Sequence, residues 1–172
     1  MKMTRMMAVA AVAGAIAWAS IGIGAQDNTM REARDRDEIE ALMWRYTRAL
    51  DTANAEAYAS AYTETGQFSA GGANPTKGRA ALTKMIADIK ARQTAAAAKG
   101  EPQAPMYHMT LNSQISFIDK DHARIDAYYQ TVFGAGGQNT PPRLAAAGRS
   151  VDLLVRQNGK WLIESRDVAP RD

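Results

Sequence analysis

Apolar side chains recur at three- and four-residue spacing from Asp35 onward: Ile39, Leu42, Met43, Tyr46, Ala49 and Leu50, with Arg and Glu between them. That period predicts a helix ending near Asp51. A shorter helix is expected at Ala55–Tyr62, with Asn54 as its N-cap. Thr65-Gly66 breaks it, Gln67–Ala70 reads as a short strand, and Gly71-Gly72 and Asn74-Pro75 make a loop. A third helix covers Gly78–Ala98, with Leu82, Met85, Ile86 and Ile89 on one face. The second half changes period. Met106–Ile118, Ala123–Phe133, Leu144–Gln157 and Lys160–Val168 read as strands, and Asn158-Gly159 is a strong two-residue hairpin signal. Helices first and an antiparallel meander afterwards predict an α+β fold, with the helices packed on one face of a curved sheet.

The N-terminus follows a different pattern. Lys2 and Arg5 precede an Ala/Val/Ile/Met-rich run, no charge follows until Asp27, and small residues close the run at Gly24-Ala25. This is the form of a cleavable signal peptide over residues 1–25, with Gln26 as the new terminus and 26–34 as a polar lead-in. A retained membrane anchor is the alternative, since residues 6–26 could span a bilayer, but their Ala and Gly content drives insertion weakly. With cleavage, no stable membrane insertion is expected. Export also changes the charge picture. The full chain has 21 basic and 18 acidic residues; without Lys2 and Arg5 the remaining 147 residues carry 19 against 18. A nearly neutral chain with scattered basic residues is not expected to bind nucleic acid. The sequence has no cysteine, so disulfides and thiolate metal sites are excluded. It also lacks a glycine-rich phosphate loop, a dinucleotide fingerprint and a serine nucleophile elbow.

The element order and several segments together resemble a known superfamily. The segments are IEALMWRYTRALDTANAEAYASAYTETGQF, Gly78 before the third helix, YHMTLNSQISF, ARIDAYYQTVF and GRSVDLLVRQNGKWLIESRDV. They are similar to the SnoaL-like, or nuclear-transport-factor-2-like (NTF2-like), cone-shaped fold over residues 35–169. Tyr46 and Asp51 near the end of the first helix and His108 opening the first long strand resemble the branch of cofactor-free lyases. That branch includes scytalone dehydratase, bile-acid 7α-dehydratase and hexachlorocyclohexane dehydrochlorinase. Asp126 and Arg166 sit where some of these enzymes place further polar residues. The resemblance implies no cofactor, no metal, and a homo-oligomer, dimer or trimer, formed through the outer sheet face.

The implied chemistry is elimination. It needs a base for one proton and an acid for the leaving group, and an imidazole, with an ordinary pKa of about 6.5, can serve as either. Asp51 would fix the tautomer of His108 and stabilise its imidazolium. Tyr46 would donate to a leaving oxygen or an enolate, and Arg166 would stabilise a developing anion or anchor an acidic substrate. His122, the other histidine, falls in a turn and is expected at the surface. Trp44, Tyr62, Phe68, Asp126 and Tyr128 are candidates to line a pocket for a small hydrophobic, aromatic compound.

Bland readings stand beside these. Asp51 could be a solvated helix-end carboxylate, Tyr46 a core tyrosine, and Arg166 with Asp126 an inter-strand ion pair. In Met106–Ile118 the apolar positions are mostly odd, so strict alternation gives His108 to the polar face. That face could line a wet cavity or meet solvent, or a bulge could switch sides along the strand. Tyr46 and Asp51 lie about 140° apart on a regular helix, so both reach one pocket only if the helix ends or distorts near Asp51. A dehydratase, deformylase or dehydrohalogenase leads; a ketosteroid-isomerase-like enzyme and a non-catalytic binding or oligomerisation domain are the alternatives.

Overall fold

The computed structural model describes residues 3–71, 74–101, 103–136 and 140–170, with side chains from residue 26 onward. The side chains of the expected signal segment, residues 1–25, lie outside that description. The chain divides into two units, 1–39 and 40–172. The first belongs to helix α1 (Met3–Asp51). No helix among the described residues is long and apolar enough to cross a membrane.

The second unit takes the end of α1 and then α2 (Ala55–Ser60), β1 (Tyr62–Ser69), β2 (Thr76–Lys77), α3 (Arg79–Ala98), β3 (Met106–Phe117), β4 (His122–Phe133), β5 (Arg143–Gln157) and β6 (Lys160–Asp167). The six strands form one sheet in the order β2-β1-β6-β5-β4-β3. All neighbours are antiparallel except β1 and β6, which run parallel. Helices followed by a mixed sheet make this the expected α+β architecture. Four elements differ from the sequence reading: helix α1 begins at Met3 rather than near Asp35, so residues 26–34, expected as a flexible lead-in, are helical; β2 is a strand where none was expected; and α2 and β1 have other bounds. The short helix stops at Ser60, and β1 begins at Tyr62 and runs through Thr65-Gly66. Gly66 is no helix breaker. A Cβ there would lie 2.9 Å from both the Ile163 carbonyl oxygen and the Tyr62 Cβ, so glycine lets β1 press against the β6 backbone.

Local chemistry sets the ends of the elements. Asn54 caps α2 by accepting from the Ala57 N–H. Helix α1 closes in a Schellman motif. Ala53, at φ 50°, donates to the Leu50 carbonyl at 3.1 Å, and Asn54 donates to the Ala49 carbonyl at 2.8 Å. Asp51 is thereby fixed as the last helical residue.

Faces alternate along the strands until a bulge interrupts them. In β4 the odd residues Ala123, Ile125, Ala127 and Thr131 are buried. In β3 the register slips between Leu111 and Gln114, where Asn112 takes φ 49°. Ile115 and Phe117 pair with Ile125 and Ala123 on the core side, yet His108 pairs with Thr131 on that same side. One inserted residue therefore gives the inner face to odd positions after the bulge and to even ones before it. A slip in β6 does the same. Leu154 pairs with Ile163 but Leu153 pairs with Ser165, so inward-facing Trp161 and Ile163 are followed by inward-facing Arg166.

The β5–β6 hairpin turns on Asn158 (φ 51°) and Gly159 (φ 75°), the two left-handed positions of a type I′ turn. Among the described residues nothing lies within 4 Å of a Cβ built on Gly159. Gly159→Ala therefore costs backbone strain alone, about 1 kcal/mol, read as a lowered urea midpoint with an unchanged slope.

Candidate functional site

The Schellman closure of α1 leaves Asp51 at the negative end of a helix, with its side chain only 6% exposed. A carboxylate there is unfavourable unless donors compensate it. Three groups do so. The His108 backbone N–H donates to Asp51 Oδ1 at 3.0 Å, His108 Nδ1 lies 2.8 Å from the same oxygen, and Arg48 Nη1 approaches Oδ2 at 3.8 Å. With Nδ1 donating to the carboxylate, the neutral ring keeps its lone pair on Nε2. The contact joins the last residue of α1 to the start of β3.

His108 forms part of the wall of a cavity of about 210 Å³. Tyr46, Thr47 and Leu50 of α1, Phe68 of β1, Thr110 of β3, Tyr129 and Thr131 of β4, Arg166 of β6 and Val168 complete most of the lining. Asp51 is not in this wall. It stands behind the imidazole and borders a second, more open cleft with Lys90, Gln93, Thr94 and Gln103. The angular problem on the helix is solved this way: Tyr46 reaches the cavity directly, and Asp51 acts on it only through His108.

Arg166 enters this lining as half of a buried ion pair. Arg166 Nη1 donates to Asp152 Oδ2 at 2.5 Å, and both side chains are almost wholly buried. The guanidinium also lies over the Tyr46 ring, 4.8 Å from its centroid. Tyr46 packs against Tyr58 and Tyr62, whose hydroxyls are 3.2 Å apart. Burial pushes the Tyr58 and Tyr62 hydroxyls up, so both stay protonated. Arg166 is also pushed up, since Tyr46 and Asp152 outweigh its burial, and it stays charged. Burial pushes the Asp152 carboxyl up to about 6, against the pull of Arg166. Among the described residues, Asp152 Oδ1 and Arg166 Nε have no hydrogen-bond partner.

The structure thus gathers His108, Asp51, Tyr46, Arg166 and Phe68, and leaves out the other candidates. Trp44 is 68% exposed on the opposite side of its helix, and Tyr128 is 56% exposed on the outer sheet face. Asp126 shares that outer face and pairs with Arg124 at 2.6 Å; β5 separates its strand from β6, so it makes no ion pair with Arg166. Tyr62 is fully buried behind Tyr46. His122 is exposed and bound to Asp119 at 2.9 Å, as a turn histidine should be. Thr131 and Asp152 were missed, and Tyr128 was preferred to its neighbour Tyr129. The apolar odd positions of β4 pointed to Tyr129 rather than Tyr128. The partnership of Asp152 with Arg166 had no sequence signal, because an unbroken hairpin from Asn158-Gly159 sets Asp152 opposite Ser165. Among the described residues no group of three or more His, Asp or Glu side chains is arranged to hold a metal ion.

A curved mixed sheet with helices before it, and a pocket at the end of the first helix, define an α+β domain of the NTF2-like kind. The chain belongs to the SnoaL-like domain family, which it matches over residues 31–167. Among solved structures it is similar to an NTF2-like protein with a cystatin-like fold from Novosphingobium aromaticivorans. That match has 23% identity and a TM-score of 0.67, covering 83% of this chain and 86% of that one. It is similar to a protein of unknown function from Mycobacterium tuberculosis, with 24% identity and TM-score 0.65, covering 80% and 72% of the two chains. It is also similar to a scytalone dehydratase-like protein from Novosphingobium aromaticivorans, with 21% identity and TM-score 0.64, covering 81% and 85%. These likenesses show the fold. No curated protein sequence matches the chain.

The raised Asp152 carboxyl has a measurable consequence. Between the ordinary value of 3.8 and about 6, the folded chain holds a proton that the unfolded chain has released. Its contribution to stability is full below 3.8 and is lost as pH rises through 6. Wild type is expected to lose on the order of 3 kcal/mol relative to Asp152→Asn between about pH 4 and pH 7, by urea unfolding. A pH-independent difference would show that the carboxyl is not raised.

Proposed function

We propose that this domain is a cofactor-independent lyase acting on a small hydrophobic, aromatic compound. The observation that carries the reading is the His108–Asp51 pair at the wall of an apolar pocket, with Nδ1 bound and Nε2 left for a substrate. For dehydration, Nε2 takes a proton from the carbon beside the one bearing the hydroxyl. The C–H electrons form the new double bond, the C–O bond breaks, and the departing oxygen takes the proton from the His108 imidazolium to leave as water, which returns the ring to its neutral form. Tyr46 and Arg166 line the same cavity and supply donors for oxygen that gains charge. Asp51 stabilises the imidazolium formed when His108 accepts the proton. Deformylation and dehydrohalogenation follow the same proton-transfer logic.

Two further features belong to this reading. Lys2, Arg5 and the uncharged run to Gln26 support export, so we place the activity outside the cytoplasm, where reduced nicotinamide and nucleoside triphosphates are scarce. The outer sheet face supports self-association: Tyr107, Met109, Leu111, Tyr128 and Leu144 are exposed there, on strands in register. Tyr128→Asp is expected to shift the chain to monomer in sedimentation, and a wild type that is already monomeric at high concentration would contradict this.

The catalytic reading is tested by screening hydroxylated aromatic compounds for loss of water or a one-carbon fragment. His108→Ala and Asp51→Asn should lower kcat by at least about a hundredfold while leaving ligand affinity within a few fold. Turnover at the wild-type rate in both variants would remove His108 and Asp51 from the mechanism.

A further inference from the structure

The pocket has two basic side chains in its lining, His108 and Arg166, and each is held from behind by an acid that is not part of the lining. Asp51 holds the imidazole and Asp152 holds the guanidinium. The second pair matters most, because Arg166 is always charged and would otherwise present a bare cation to an apolar cavity. A bare guanidinium in such a place selects carboxylates and other anions. Here one Nη is already committed to a buried carboxylate, and one face of the plane is covered by Tyr46. What remains toward the cavity is a donor in a neutral pair.

We infer that Asp152 is a specificity-determining residue, which cancels the charge of Arg166 so that the pocket selects a neutral ligand bearing an oxygen acceptor, such as a carbonyl, phenol or alcohol, over the corresponding carboxylate. The inference deepens the lyase reading by naming its substrate class. Its physical basis is a difference of affinities. A neutral oxygen loses little on entering the cavity and gains a hydrogen bond from Arg166. A carboxylate loses its hydration and meets Asp152 behind the guanidinium, so like-charge repulsion offsets the attraction. Asp152 also keeps Arg166 in its place over Tyr46, and thus positions the donor.

The test uses two fluorescent probes of similar size, 2-naphthol and 2-naphthoate, titrated at neutral pH, where the first is neutral and the second ionised. Wild type should bind 2-naphthol at least about tenfold more tightly. Asp152→Asn keeps an acceptor for Arg166 Nη1 but removes the opposing charge, and should improve 2-naphthoate binding at least about tenfold relative to 2-naphthol. The near-isosteric double variant Asp152→Asn/Arg166→Gln removes both charges and keeps the site informative if the single variant does not fold. It should bind 2-naphthoate within about threefold of wild type, because the wild-type pair offers no net charge. Equal or tighter binding of 2-naphthoate by wild type, an unchanged preference in Asp152→Asn, or collapse of 2-naphthoate binding in the double variant would each overturn the inference. The readout is binding alone. The predicted selectivity without turnover would sink the lyase reading and leave this one standing; turnover without that selectivity would do the reverse.

Discussion

Asp51 Oδ1 receives two donors from one residue, the backbone N–H and the ring Nδ1 of His108, and through them the end of α1 is fastened to the start of β3. Everything at the site depends on this contact. The carboxylate sits at the unfavourable end of a helix and out of water, so it persists because donors compensate it. In return it fixes which imidazole nitrogen carries the proton and which side of the ring meets the cavity. A helix end, a strand start and a tautomer are set by one oxygen atom.

The Arg166–Asp152 pair follows the same logic with a larger desolvation cost. Arg166 and Asp152 are buried together on neighbouring strands, and neither would be tolerated there alone. Among the described residues Nε and Oδ1 have no hydrogen-bond partner, which adds to the cost of burying the pair. Such pairs are costly relative to apolar residues of similar volume, so a functional reason to keep one is a natural expectation. The tyrosine cluster gives the guanidinium a ring to lie on and keeps water away from its far side. The resulting cavity has apolar walls and a few directed donors.

Much of this was legible in the sequence. The helical stripe from Ile39 to Leu50, the Asn54 cap and the Asn158-Gly159 turn are local signals, and each reappears in place. Tyr46, His108, Phe68 and Arg166 were recognisable as cavity candidates and do line one cavity, while Asp51 reaches it through His108. The errors have a common cause. Trp44 and Tyr128 were chosen by residue type; Trp44 lies on the exposed side of its helix, and Tyr128 one residue from the inner face of its strand. Asp126 was carried over from the resemblance and lies on the outer face with Arg124. Thr65-Gly66 was read as a helix stop because glycine has no side chain to pack, yet that absence is what a strand needs when a neighbouring carbonyl approaches.

The sequence by itself determined the order of elements, the α+β class, the SnoaL-like family and the tight hairpin that aligns the last two strands. The element order, the class and the hairpin follow from periodicity and turn chemistry, which act within a few residues; the family follows from the resemblance of the segments quoted above. The tertiary structure decided which side chains meet. The bulges near Asn112 and Glu164 each shift a strand by one residue, and with a side-chain period of two each shift reverses the face. One turns His108 inward beside Thr131; the other sets Arg166 opposite Asp152 rather than Ser165. A one-residue slip hardly changes local composition, so it is invisible along the chain. It becomes fixed only when the strands pair, and that pairing builds the site.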